Sequence, residues 1–586
     1  MAKIDFSSEG VDQKIKELKG KNGSISFLRV LSFFGLVGFF ILFLSENPLW
    51  GVPFILVAWV FIRLINAYNN QKDQEAIFHT LKKMEVELRQ RKARELSTFS
   101  SGSEFMDKAH PFTNDLDLFG DHSLFQLVNE TNSQRGRDRL ASRMKDSFDP
   151  EVSKDWREAV DELAGKSDFL TSMVSVGKSF YKEERQSRWS EWLSEEPKVK
   201  LWILPFAILG PLGGLVLCGL IYASIIPASI LGIWILLGMV FLGIVFSPLK
   251  KAYDNIPSRH ELKTYRYWVE ILEDEKFNSS LLNESQSPFL TTKTKASSVL
   301  KQLDGFGLWM QNRINLLYIP INLLFWTDLW LYISFERWRK KHGASLSKYP
   351  EALSEWEVWS SLGSFQSHLG HQGEVLEMVE GVKAKRINHP LLVPEKSVSN
   401  DFHQDHTSQV ILLTGANMSG KTTFMRTLGI NMVLVNLGLR PFAEQFGFGP
   451  CQLYTSMRNT DNLGESVSSF YAELSRIKKL IDRSESGEPL YFLLDEILKG
   501  TNTEDRIAGS EALIKQVINT KAMGIISTHD IELAELSENE KSVRNHSFHS
   551  EVKDETIDFD YTLKEGPCPS FNAHKLMELM GIRFQG

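Results

Sequence analysis

Cysteine is scarce in this chain: three in 586 residues, Cys218, Cys451 and Cys568, far apart and without a metal-spaced pair. That excludes a disulfide framework and a cysteine-ligated zinc site, and it fits a reducing compartment. An excess of charge is also missing, since 66 Lys and Arg against 73 Asp and Glu leave a net charge of −7. No acidic or basic tail stands out. A mildly acidic chain does not advertise duplex DNA, whose phosphates call for clustered Lys and Arg. Internal repeats and low-complexity tracts are not evident. At this length a single core has stopped growing, so about two to four domains are expected.

What the chain does have is long apolar runs. Phe27–Leu44 carries one charge, Arg29, and Leu49–Ile65 carries one, Arg63; Leu201–Ala223 and Ile225–Phe246 carry none. Crossing the hydrocarbon core takes about 20 apolar residues, or roughly 17 at the short end. The runs therefore predict two transmembrane hairpins, at residues 27–66 and 201–247. The first run starts late and a second follows at once, which reads as an anchor and not a cleaved signal peptide. The connecting loops Ser45–Pro48 and Ser224–Pro227 hold no Lys or Arg. The outer flanks hold Lys14, Lys16, Lys19, Lys21, Lys72, Lys82, Lys83, Lys198, Lys200, Lys250 and Lys251. Positive charge stays inside. The expectation is a multi-pass cell-membrane protein with four transmembrane helices, its N-terminus and everything between and after the hairpins in the cytoplasm.

Between the runs the pattern is helical. Residues 71–97 are charged, with Ile77, Leu81, Met84 and Leu88 at heptad-like spacing, and read as a juxtamembrane helix. Residues 112–200 and 258–370 are polar to Trp-rich and helix-patterned. After Gly381 short apolar strands alternate with helices: Val410–Thr414 runs into a Gly-rich turn, Leu490–Leu494 ends in paired acids, and Met523–Ser527 ends in Thr-His-Asp. Such alternation implies a parallel sheet with ligands at the strand C-termini.

The Gly-rich turn is Gly415-Ala-Asn417-Met418-Ser419-Gly420-Lys421-Thr422, followed by Thr423, and it fits the eight-residue P-loop pattern between a strand and a helix. Glycines let backbone amides wrap phosphates, and the helix N-terminus adds positive potential. Lys421 is expected on the β- and γ-phosphates of ATP, and the Thr422 hydroxyl on Mg2+. Asp495 and Glu496 end the second strand as in a Walker B segment, with Asp495 assigned to the metal and Glu496 to the attacking water. His529, ending the third strand, is assigned to the γ-phosphate or that water.

TGANMSGKTTFMRTLGIN at 414–431 is similar to the P-loop and following helix of the MutS mismatch-repair family. DNLGESVSSFYAEL resembles that family's signature loop, whose serine reaches the nucleotide of the opposite subunit; it falls on Ser468. LLDEILKGTNTEDR resembles the Walker B segment, with Gly500 and Thr501 continuing it, and IISTHDIELAEL the Thr-His switch. NHPLL at 388–392 and GPCPSFNAHKLMELMGI at 566–582 look like the segments opening and closing the ATPase domain. Further upstream, Asp117-Leu-Phe-Gly-Asp and Arg135-Gly-Arg-Asp-Arg-Leu are similar to the start of the family's helical core, and Ala352–Leu362 to its lever. An ABC transporter ATPase fits less well, because no LSGGQ-type run lies between the Walker motifs.

The resemblance implies a multidomain α and α/β fold: transmembrane helical hairpins, a helical core and lever, and a C-terminal MutS-like P-loop NTPase of the ABC type. The expected boundaries are 1–26 cytosolic, 27–66 hairpin, 67–111 juxtamembrane helix, 112–200 core, 201–247 hairpin, 248–384 core and lever, and 385–586 ATPase. ATP and Mg2+ are the implied cofactors, with a homodimer, the lipid bilayer and an unknown protein target as partners. DNA is left open, without mismatch preference. A membrane hairpin stands where family members begin with a mismatch-reading domain, no long basic clamp insertion is visible, and Ser466 stands where the signature loop usually has Gly. The missing mismatch-reading domain favours an ATP-driven lever or clamp switch on the membrane over a tethered mismatch-repair or DNA-damage-binding protein. An interaction scaffold with a degenerate ATPase is the second alternative, disfavoured because every catalytic position is present.

Overall fold

The structure is a computed structural model that describes residues 5–182, 189–196, 200–290, 294–316, 318–377, 379–458, 469–553 and 556–569. The chain divides into two compact units. One comprises Met1–Glu85, Thr131–Gly136 and Asp168–Val358; the other comprises Val86–Glu130, Arg137–Ser167 and Trp359–Gly586. This division by contacts cuts across the sequence boundaries, because residues 86–130 and 137–167 cluster with the C-terminal sheets.

The first unit is helical among its described residues. Four helices are long and apolar enough to cross a membrane: Val11–Ser45, Pro48–Lys92, Leu201–Tyr222 and Ser229–Asn255. Phe27, Phe34, Leu44, Ile55, Trp59, Leu212, Ile233 and Val240 are all exposed along them. In a water-soluble protein such a continuous apolar surface would be anomalous. The second of these helices does not stop at the end of its apolar run. Leaving aside the short 3-10 turn Pro48–Trp50, one α-helix runs from Gly51 to Lys92, so the charged stretch after the apolar run continues the same helix, with Ile77 and Leu81 buried.

The polar part of this unit packs around tryptophan. Helix Arg259–Asp274 starts at Ser258, whose hydroxyl accepts from the Glu261 amide, and buries Trp268, Val269 and Leu272. The Trp268 indole donates to Met173 O at 2.7 Å and that of Trp356 to Ser285 O at 3.1 Å, so both large side chains are buried with their one donor satisfied.

Among the described residues of the second unit ten strands form two sheets. β1 (Glu374–Val375), β2 (Val382–Ile387), β3 (Asn400–Gln404) and β5 (Gln445–Phe448) make one, in the order β1-β5-β2-β3. The other holds β4 (Val410–Gly415), β6 (Gln452–Ser456), β7 (Leu490–Asp495), β8 (Met523–Thr528), β9 (Val543–Lys553) and β10 (Thr556–Glu565), in the order β10-β9-β4-β8-β7-β6. From β9 to β6 all pairs are parallel, and β10 closes the edge antiparallel to β9. Every residue of β4 and β8 is buried, as expected for strands covered on both faces. The core under the sheet gathers Val410, Leu412, Phe492, Leu494, Leu513, Ile514 and Ile526. Because β4, β7 and β8 are parallel neighbours, their C-terminal residues Gly415, Asp495 and Thr528 emerge on one edge.

Candidate nucleotide site

That edge is where the chemistry-bearing residues meet. β4 ends at Gly415, whose φ of +149° and whose approach to Phe548 O, 2.6 Å from where a Cβ would stand, admit only glycine. The loop then turns through Met418 (φ 66°) and Gly420 into helix Lys421–Asn436. Asn417, Met418 and Thr423 are exposed; Ser419 is buried, and its hydroxyl has no partner among the described residues. Tyr561 of β10 stands against Gly420, an aromatic beside the loop that the sequence did not single out.

Lys421 is buried and folds back on its own loop, donating to Gly415 O at 2.7 Å and Ala416 O at 3.0 Å. Burial lowers its pKa, while the carboxylates of Glu496 and Asp495 work in the opposite direction. The Thr422 hydroxyl donates to Asp495 Oδ2 at 2.6 Å, and the Ser527 hydroxyl donates to the other oxygen, Oδ1. Thr422 and Asp495 are thus brought together from two elements as a hard-oxygen pair, the donor chemistry that magnesium takes.

Glu496 follows with φ 50°, its amide donating to Ser527 O of β8 at 3.1 Å. Its carboxylate is held from two sides: His529 Nε2 contacts Oε1, and Lys499 Nζ lies 2.5 Å from Oε2. Burial alone would raise the pKa of Glu496, but the bonds from His529 and Lys499 outweigh it and bring the value down to about 2. His529 Nδ1 lies 3.2 Å from Gly415 O, so the ring bridges the Walker B acid and the start of the P-loop. Its strand end is fixed by the next residue, because Asp530 accepts from two guanidinium nitrogens of Arg506, Nη2 at 2.7 Å and Nε at 2.9 Å.

Three further connections were not read from the sequence. Glu473, on helix Ser469–Glu485, accepts the Leu498 amide at 2.5 Å, and Phe470 of that helix packs where a Gly500 side chain would stand. Lys499 was overlooked although it sits three residues after Glu496, in reach of it. Asp117 accepts from Arg426 of the P-loop helix at 2.7 Å and from Arg458, the last residue described before the signature loop. Ser468 and Ser466 of that loop lie outside the described residues, as does the stretch from Ser570 on.

Residues 411–582 match the family model of MutS domain V. MutS domain V is the ATPase domain of the MutS family, and the match supports membership of that family. Family ATPases of this kind use ATP with Mg2+, and family members act as dimers and bind DNA. Of the strands that frame the site, β7 and β8 lie within the matched segment and β4 lies within it except for its first residue, Val410.

Proposed function

We propose that the chain is a membrane-anchored MutS-like ATPase that binds and hydrolyses ATP with Mg2+ to drive a dimeric lever or clamp switch. The observation that carries this is the joint placing of Lys421, Thr422, Asp495, Glu496 and His529 at one sheet edge within a MutS domain V. Thr422 and Asp495 would hold the magnesium, which supplies charge neutralisation to the phosphates. Lys421 would exchange its two loop carbonyls for the β- and γ-phosphates, and Gly415, Asn417, Met418, Ser419, Gly420 and Thr423 would line them.

Glu496 is the general base of this reading. With the Lys499 ammonium and His529 Nε2 on it the carboxylate is a weak proton acceptor, so hydrolysis calls for release from Lys499 before the base takes a proton from water. His529, bridging Glu496 and the P-loop, is suited to sense whether a γ-phosphate is present. Ser468 is assigned to the nucleotide of the opposite subunit. The apolar helices anchor the chain as two hairpins, and their Lys-flanked ends favour a cytoplasmic ATPase.

Glu496→Gln tests the core of this reading. Turnover should fall by about 100-fold or more, the usual size of a general-base contribution, while nucleotide binding persists. Lys421→Ala should weaken binding itself. Equal turnover in wild type and Glu496→Gln would remove the base assignment.

A further inference from the structure

We propose that residues 318–333 form a re-entrant element that enters the hydrocarbon of the bilayer beside the second apolar hairpin and returns to the side it came from. The inference rests on that hairpin, Leu204–Tyr222 and Ser229–Asn255, crossing the membrane.

Between Tyr318 and Phe335 the chain carries one charged residue, Asp328. Helix Tyr318–Phe325 has no buried residue, and helix Thr327–Leu346 follows after a break at Trp326. An eight-residue helix is only about 12 Å long, too short to cross. Ile319 and Ile321 are each nearly half exposed, as is Trp330 on the returning helix. Helix Tyr318–Phe325 contacts both hairpin helices.

The break is seated in the hairpin. Trp326 is fully buried with φ 53°, and its ring stacks on Trp234 at 4.4 Å. A Cβ on Gly210 or Gly238 would strike Trp326, and one on Gly214 would strike Leu324 O and Phe325. Three helix glycines thus open the space that the turn fills.

The backbone groups freed by the break are met locally, as hydrocarbon demands. Trp326 N donates to Asn322 O at 2.7 Å, and Asp328 N to Asn322 Oδ1 at 2.9 Å. Leu324 O accepts the indole of Trp234, from the hairpin itself, at 2.8 Å. Asp328 is buried and paired with Arg313 at 2.9 Å, and it also accepts the Tyr318 hydroxyl at 2.8 Å. A paired acid is the form in which bilayers tolerate one.

The hairpin fixes the depth. At 1.5 Å per residue, Gly210 and Gly238 lie about 15–20 Å along their helices from the loop joining them, which is near the middle of a core about 30 Å thick. Trp326, between them, is therefore at mid-bilayer. The chain arrives from Arg313, which lies over the Phe246 ring near the Lys250 end, and helix Thr327–Leu346 leads back.

The test uses the full chain, with Cys218, Cys451 and Cys568 replaced by serine, carrying one bimane-labelled cysteine in phosphatidylcholine vesicles. Ile321→Cys and Ile233→Cys should both lose about half their fluorescence or more when lipids brominated at mid-chain are used; Lys348→Cys should lose none. Asn312→Cys and Lys348→Cys should react with an impermeant maleimide from one and the same side. Quenching at 233 without quenching at 321 overturns the re-entrant element alone, and leaves that surface to water or a protein partner. No quenching at 233 overturns the membrane reading as well, and labelling from opposite sides replaces re-entry by crossing. In the otherwise unaltered chain, Ile321→Asp should lower the recovery of folded protein in vesicles several-fold. Unchanged recovery would count against hydrocarbon around that residue.

Discussion

At the residue scale the decisive feature is the double hold on Glu496. Because Lys499 and His529 depress its pKa from 4.5 to about 2, their grip stabilises the fold fully above pH 4.5, and the contribution is lost as pH falls toward 2. Lys499→Met removes one cation, so the pKa should move back up. The variant should melt below wild type at neutral pH, and the gap should close between about pH 4.5 and 2. Parallel melting curves across that range check the sign; a gap that widens on acidification would contradict it. Glu496, Asp495 and the P-loop were legible because their chemistry follows fixed spacing after a strand. Lys499 was not, since nothing in the residues alone distinguishes a solvated lysine from one folded onto the acid three positions before it.

Among the elements, helix Ser469–Glu485 ties the end of the signature loop to the turn after β7. Phe470 lies 2.6 Å from where a Gly500 Cβ would be, and Glu473 holds the Leu498 amide. Gly500→Ala should therefore cost about 1–3 kcal/mol by overpacking. Adding Phe470→Ala should return part of it, because the two positions share one contact. Denaturant titration of the two single variants and the double variant reads this directly, and strict additivity would mean that the helix and the turn are not coupled.

The three strands β4, β7 and β8 emerge one residue longer than the sequence indicated, because Gly415, Asp495 and Thr528 still pair with their neighbours. Residues 318–335 were missed for a physical reason. Neither half of the broken run is long enough to announce a span, and only the glycine faces of the hairpin show that the halves belong together.

For the whole molecule, contacts group the chain into two units whose segments alternate along the sequence. Asp115 and Asp117 lie in the unit that holds the sheets and accept hydrogen bonds there, Asp115 from Thr455 at 2.7 Å and Asp117 from Arg426 at 2.7 Å. Residues 11–92 are mostly two long helices, and DNA, where bound, is expected from the sequence to be held without mismatch preference. Any DNA affinity should then come from Lys and Arg meeting phosphates, fall steeply with salt and ignore sequence. Competition between a homoduplex and a one-mismatch duplex at near-physiological salt checks this. A preference above about tenfold, roughly 1.4 kcal/mol, for the mismatch would favour a tethered repair protein.

If the four apolar helices hold the chain in a bilayer, as proposed above, they also change what concentration means for it. A protein held in a sheet of lipid meets its like by lateral diffusion, so pairing is governed by copies per unit area and not per unit volume. If the hydrolysing form is a dimer, adding lipid to vesicles at fixed protein should lower turnover per chain. Diluting the same vesicles into buffer should leave it unchanged. A turnover that followed bulk dilution would mean that the subunits meet through solution. On that reading, crowding on the bilayer would become a control over ATP consumption that a soluble protein could not share.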